Sequence, residues 1–264
     1  MPTDVIVVDA FTDRAYAGNP AAVCILPGPA NEEWMRNVAR EMNLAETAFL
    51  HPERDGYRLR WLTPETEVDL CGHATLASAH VLWQDGHLAA GRTATFHTRS
   101  GPLSANQRGD LIELDFPEKR PEACPVPTGL LEALGAEAVW IGRNEFDYFV
   151  ELADEAALRA LQPDYTAIGR LSVRGVIVTS AARPGSGVDF VSRFFAPAVG
   201  VNEDPVTGSA HCALGPHWGR RLGKGSLTGF QASRRGGTVH VRLAGDRVIL
   251  SGTAVTTLRG TLVA

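Results

Sequence analysis

The chain has 264 residues, 44% hydrophobic and 21% charged, with a formal net charge of −5. That length exceeds one usual core and points to one large or two medium domains, while the acidic balance offers no electrostatic footprint for nucleic acid. No apolar run nears the roughly 20 residues of a membrane helix, and the opening MPTDVIVVDAF lacks the basic region of a secretory signal. Cys24, Cys71, Cys124 and Cys212 stand far apart without a CxxC pair, so free thiols and a cytoplasmic location are expected.

In chain order, residues 4–11 read as a first strand, Gly18-Asn19-Pro20 as a turn and residues 21–26 as a second strand. Asn31 is placed to cap a helix through residue 42, with Glu32 and Glu33 in its first turn. Strand character resumes at Glu46 and again over 57–62, and a short strand over 67–70 leads to a helix from Gly72. Three short strands are expected over 92–98, 101–105 and 110–116. The proline-rich stretch 117–127 is the best linker, dividing the chain into halves 1–118 and 119–264, with a last strand able to return to the first half. Beyond it come helices near 129–134 and 154–161, strands near 137–141, 148–152, 173–180 and 188–195, a second apolar helix ending near 222, and four more strands. Many short strands with one long apolar helix per half indicate an α+β fold of two half-barrels or curled sheets, each around a central helix.

Two segments look like copies of each other: EVDLCGHATLASAHVLW (67–83) and EDPVTGSAHCALGPHW (203–218). Placing Gly72 on Gly208 puts His73 on Ser209, with Asp69 and Asp204 just upstream and offset by one residue. Such an internal repeat suits two related halves, although two glycine-started, alanine-rich helices can also be alike by chance. Glycine lets backbone approach a ligand, and the unpaired N–H groups of a first helical turn favour an anion such as a carboxylate.

Glu46, within NLAETAF, has no basic residue near it in sequence. Buried in a cleft it would have a raised pKa and suit proton transfer; the alternative is an ordinary exposed glutamate at a strand start. Cys71, at a helix N-terminus, is expected to have a lowered pKa, whereas Cys24, Cys124 and Cys212 fit the role of small buried hydrophobes. His80 and His217 read as structural. No metal-ligand spacing, nucleotide loop or GxSxG motif occurs, so no metal, nucleotide cofactor or serine hydrolase chemistry is expected. The basic Arg220, Arg221 and Lys224 suit a solvated helix C-terminus.

Taken together, GNPAAVCIL, NLAETAFL, EVDLCGHATLASAH and GVNEDPVTGSAHCALGPHW resemble the PhzF-like phenazine-biosynthesis family, in order from Gly18 to Trp218. The resemblance implies the diaminopimelate-epimerase-like fold, with the active site between two similar halves. It implies Glu46 as the catalytic acid/base, His73 and Asp204 as polar partners, Ser209 as a hydroxyl at the second helix start, and Gly72 and Gly208 as positions where backbone N–H groups meet substrate. The implied activity is a cofactor-independent isomerisation of a small carboxylic acid, in a family whose members are often homodimers; no membrane partner is expected. Cys71 stands where the related epimerases keep one catalytic thiol, but their second would fall near Pro205. A two-thiol racemase is therefore disfavoured, leaving a one-thiol racemase, or a small-acid binder without catalysis, as alternatives.

Overall fold

A computed structural model describes residues 2–263. The chain forms two compact units, Met1–Asp115 with Ser251–Ala264, and Phe116–Leu250. Its elements run β1 (Thr3–Ala10), β2 (Asn19–Ile25), α1 (Glu32–Met42), β3 (Glu46–Glu53), β4 (Gly56–Leu62), β5 (Glu67–Val68), α2 (Gly72–Gln84), β6 (Ala94–Thr98), β7 (Gly101–Arg108) and β8 (Leu111–Pro117). Then come β9 (Glu122–Ala123), α3 (Leu130–Leu134), β10 (Trp140–Arg143), β11 (Asp147–Glu151), α4 (Glu155–Ala160), α5 (Tyr165–Ile168), β12 (Gly175–Ala181) and β13 (Phe190–Phe195). A 3₁₀ turn at Pro197–Val199 precedes α6 (Gly208–Leu222), β14 (Ser226–Gln231), β15 (Gly237–Ala244), β16 (Arg247–Gly252) and β17 (Ala254–Leu262).

In the first unit β17, β1 and β2 pair antiparallel, β2 and β3 parallel, β3 and β4 antiparallel, β4 and β6 parallel, and β6, β7 and β8 antiparallel. The second unit repeats the succession. There β9, β10 and β11 pair antiparallel, β11 and β12 parallel, β12 and β13 antiparallel, β13 and β14 parallel, and β14 and β15 antiparallel. Each parallel pair needs a crossover, and helices supply them: α1 and α2 in the first unit, α4 with α5 and then α6 in the second. The matched order of pair types gives the internal repeat a structural counterpart and is the α+β arrangement expected from the sequence.

Helix α1 is amphipathic and lays Met35, Val38 and Ala39 against Cys24, Phe49 and Leu62 on one face of the first sheet. Helix α2 is different. His73 to Ala79, Val81 and Leu82 are all buried, and β1, β2, β3, β7 and β17 all touch it, so the strands curl around one apolar rod. Side chains alternate along β3, and Phe49 faces α1. Glu46, Ala48 and Leu50 therefore take the α2 face. The hydroxyls of Thr75 and Ser78 return to the helix itself, donating to the carbonyls of Cys71 at 2.5 Å and Ala74 at 2.7 Å. Among the described residues no helix is long and apolar enough to cross a membrane.

The second unit buries α3, α4 and α5 on one side of its sheet, through Leu130, Leu158 and Ile168 against Val150, Val176 and Phe195. Its central helix α6 carries Trp218 stacked on Phe190 and donating from Nε1 to Thr179 Oγ1 at 2.9 Å. Pro216 lies inside this helix. Lacking an N–H, it leaves the Cys212 carbonyl without its helical donor, and the backbone N–H of Lys119 takes that place at 3.0 Å.

Several expectations need correcting. Asn19 and Pro20 begin β2 rather than forming a turn, because Pro20 sits opposite Asp9 in the β1–β2 ladder. The proline-rich stretch carries the two-residue strand β9, paired to β10. The short α5, held by an Asp164 cap, was not signalled by any apolar period. Cys124 is half-buried, not a core thiol.

Helix α6 also meets β15 closely. A Cβ built on Gly215 would lie 2.6 Å from Val241 Cγ1, on a stiff, β-branched side chain. Replacing an interior helical glycine by alanine normally gains about 1 kcal/mol; here overpacking should win. Gly215→Ala is expected to destabilise the protein by about 1–3 kcal/mol, read from the urea midpoint, and a gain in stability would contradict this close packing.

Candidate active site

The first unit gathers its polar groups at the start of α2. The loop before β2 is held by two non-glycine residues in the left-handed region, Phe11 (φ 62) and Tyr16 (φ 68), and by the Tyr16 N–H donating to Asp9 Oδ2 at 2.7 Å. At Gly18 (φ 63) a Cβ would fall 2.2 Å from the Ala10 carbonyl oxygen, so only glycine fits. This turn delivers Asn19, fully buried, to the His73 ring: Nδ2 lies 3.2 Å from Nδ1. An amide nitrogen can only donate. Nδ1 is therefore the acceptor, and the neutral ring carries its proton on Nε2.

Nε2 lies 3.2 Å from Glu46 Oε2, close but without the alignment of a hydrogen bond. On the other edge of the ring, Cys71 Sγ is 3.5 Å from Nδ1. Burial pushes the His73 pKa down to about 3, because a desolvated imidazole resists charging. The imidazole is thus a neutral bridge between a thiol and a carboxylate. The Glu46 side chain keeps 17% of its exposure, and His73 only 6%. The donor atoms of Glu46, Cys71 and His73 all lie within 4.8 Å of one another, an arrangement able to hold a metal ion, although no ligand spacing in the sequence signalled it.

The corresponding end of α6 is built from different chemistry. Asp204 Oδ2 accepts from the Thr207 hydroxyl at 2.5 Å, and the Asp204 N–H donates to the Phe194 carbonyl at 3.0 Å. Gln231, fully buried on β14, ties the segment together: Oε1 accepts from the Thr207 N–H at 2.9 Å, and Nε2 donates to the Asp204 carbonyl at 2.7 Å. Just upstream, Arg193 makes a two-pronged pair with Glu203 at 2.7 and 2.9 Å. Gly208 and Ser209 open the helix.

Side-chain caps close some of the helices but not α2, α3 or α6. Asn31, Asp154 and Asp164 accept from first-turn N–H groups of α1, α4 and α5, whereas neither Cys71 on α2 nor Thr207 on α6 makes a side-chain cap. Both ends therefore keep donors and the positive end of a helix dipole for an anion.

The fold thus brings Glu46 and His73 together in the first unit, with Cys71 beside them and Gly72 opening α2. Asp204, Gly208 and Ser209 are brought together in the second. Asp69, the upstream counterpart of Asp204, is exposed and 3.5 Å from Arg99. Asn19, Thr207 and Gln231 were not singled out from the sequence; neutral side chains at remote positions carry no spacing signal. His80 and His217 are tied to Thr256 Oγ1 at 3.1 Å and to Glu151 Oε2 at 2.8 Å. Burial raises the Cys24 and Cys212 thiols to about 12, which keeps them inert.

The sequence profile of the phenazine biosynthesis-like proteins matches residues 8–260. An uncharacterized isomerase of Halalkalibacterium halodurans is 54% identical over 263 residues, covering 99% of each chain. A crystal structure of a phenazine biosynthesis protein of the PhzF family from Enterococcus faecalis superposes with a TM-score of 0.95 at 42% identity, covering 100% of both chains. A probable proline racemase from Agrobacterium radiobacter shares the fold alone, at 14% identity and a TM-score of 0.66, over 99% of this chain and 93% of that one.

The two buried histidines make stability depend on pH. Burial also lowers His211, to about 4, against an ordinary 6.5. Between these limits the unfolded chain binds protons that the folded chain does not. Their contribution is complete above about pH 6.5 and is lost as pH falls, toward about 4 for His211 and about 3 for His73, by about 1.4 kcal/mol per pH unit for each group. Urea midpoints measured across that window should fall with acidity, and His73→Gln should flatten the slope; an unchanged slope would mean that the ring is not buried neutral.

Proposed function

The chain belongs to the phenazine biosynthesis-like family, and from that premise we propose that it is an isomerase moving a proton between carbon positions of a small carboxylic acid, with Glu46 as general acid/base. One observation carries this reading: Glu46 and His73 meet at 3.2 Å at the mouth of a buried helix start. The neutral imidazole adds no positive charge beside the carboxylate, and its Nε2 faces Glu46 Oε2.

In the proposed reaction, Glu46 takes a proton from a substrate carbon, the electron pair delocalises toward the carboxylate-bearing part of the substrate, and Glu46 returns the proton to another carbon. No electrons leave the system, so no redox partner is required. The uncapped donors around Gly72 suit the substrate carboxylate and the charge that develops on it, and Gly208 and Ser209 offer donors of the same kind at the start of α6. Asp204 is held by Thr207 and Gln231 in a fixed orientation, as a polar partner in substrate binding would need to be. Self-association as a homodimer belongs with this reading and is checked by sedimentation.

A second reading is favoured by the 3.5 Å approach of Cys71 Sγ to His73 Nδ1. A thiol so placed is oriented by the ring nitrogen and, once deprotonated, would act as one base of an amino-acid racemase or epimerase. Its signature would be solvent deuterium entering an α-carbon, abolished in Cys71→Ala.

The test is proton exchange in D₂O with a panel of small carboxylic acids, followed by NMR. Glu46→Gln keeps size and removes the titratable group, so it should lower exchange or isomerisation by about 10²- to 10⁴-fold while leaving ligand binding in place. A rate equal to that of the parent would overturn the assignment of Glu46, and binding of the panel without turnover in the parent would make the protein a small-acid binder.

A further inference from the structure

We propose that Glu46, Cys71 and His73 form a binding site for a thiophilic divalent ion, of which zinc is the best match, and that the ion acts as an inhibitor rather than as a resident cofactor. Carboxylate oxygen, thiolate sulfur and imidazole nitrogen together are a zinc-type donor set, unsuited to magnesium or calcium, which take oxygen alone. Three protein ligands with a fourth position left for water or a substrate atom is the open form of a zinc site.

The geometry argues for the Nε2 edge of His73. This nitrogen is buried and has no hydrogen-bond partner, and Glu46 Oε2 already stands 3.2 Å from it. Bond lengths of about 2.0–2.3 Å in a tetrahedral site place neighbouring ligand atoms about 3.3–3.6 Å apart. The nitrogen–oxygen pair is already near that spacing, and Cys71 Sγ, 3.5 Å from Nδ1 and one of a set of donor atoms all within 4.8 Å of one another, would join them by rotating its side chain from the Nδ1 side of the ring toward the ion. An ion on Nε2 needs its lone pair, so the ring proton moves to Nδ1. Asn19 Nδ2, now 3.2 Å from Nδ1, then yields to the amide oxygen by a half-turn of the amide. An N–H donating to a carbonyl behind the ring is the usual outer support of a metal-bound histidine. The balance is simple: the Cys71 thiol releases one proton to solvent, the ion takes its place, and no group changes oxidation state.

The binding stands apart from the reaction. The inhibition rests on the proton-transfer reading, since the ion would occupy the carboxylate that must accept the substrate proton. The experiment therefore reads the ion and not turnover. Cobalt(II) titrated into the reduced wild-type protein should give a one-to-one complex with a thiolate-to-metal charge-transfer band, abolished by added zinc. The band should vanish in Cys71→Ala and persist in Cys124→Ala, whose thiol is half-buried and outside the cluster. Asn19→Ala should weaken cobalt binding about 10- to 100-fold. X-ray absorption of the zinc-loaded wild type keeps the test independent of any variant's folding: one sulfur at about 2.3 Å with nitrogen or oxygen for the rest is expected. A shell without sulfur, or a cobalt band that follows Cys124, would overturn the site.

Discussion

Burial of helix α2 on every side is the constraint from which the rest of the first unit follows. A helix apolar all round has no face to give to water, so strands at both ends of the sheet must close on it, and the sheet must curl. Within that enclosure every polar group needs an internal answer. Thr75 and Ser78 find theirs on the helix's own carbonyls. The first-turn N–H groups have no such recourse and no side-chain cap. The same exclusion of water keeps the His73 ring uncharged, so packing and chemistry at this point have one cause.

The second unit repeats the scaffold with different reactive groups. The carbonyl of the residue before each central helix is satisfied from one turn on: by the Thr75 hydroxyl at 2.5 Å in α2, and by His211 Nδ1 at 2.8 Å in α6. These residues occupy equivalent places when Gly72 is set on Gly208. Next to them, however, a thiol, an imidazole and a carboxylate meet in one unit, and in the other a carboxylate is fastened by a hydroxyl while an amide holds the backbone carbonyl of the same residue. One end gathers titratable groups; the other fixes a single carboxylate in place.

Local signals in the sequence were legible wherever a single element decided the outcome. The Asn31 cap, the apolar run of α2, the start of β3 at Glu46 and the paired glycine-led helices all depend on neighbours within a few residues. What stayed hidden depends on chain-distant partners. Asn19 meets His73 across 54 residues, and Gln231 reaches Thr207 across 24. Neither residue has a charge or a periodic position to draw attention. Nor could apolar strands declare which neighbours they pair with: β2 and β3 lie parallel because α1 carries the chain back, a fact of topology rather than of composition. The metal-capable trio was missed for a similar reason, since Glu46 joins Cys71 and His73 only after two strands have turned the chain around.

The pairing of β17 with β1 along nearly their whole length has a consequence for how the molecule is made. During synthesis β1 emerges well before β17, one of its two flanking strands. All residues of the second unit, ending at Leu250, are available before the first unit has its final strand. Until then β1 presents an open edge able to accept a foreign strand. The unit that holds β1 is thus the later one to finish, and its exposure to misassembly is set by the translation time of everything between β1 and β17.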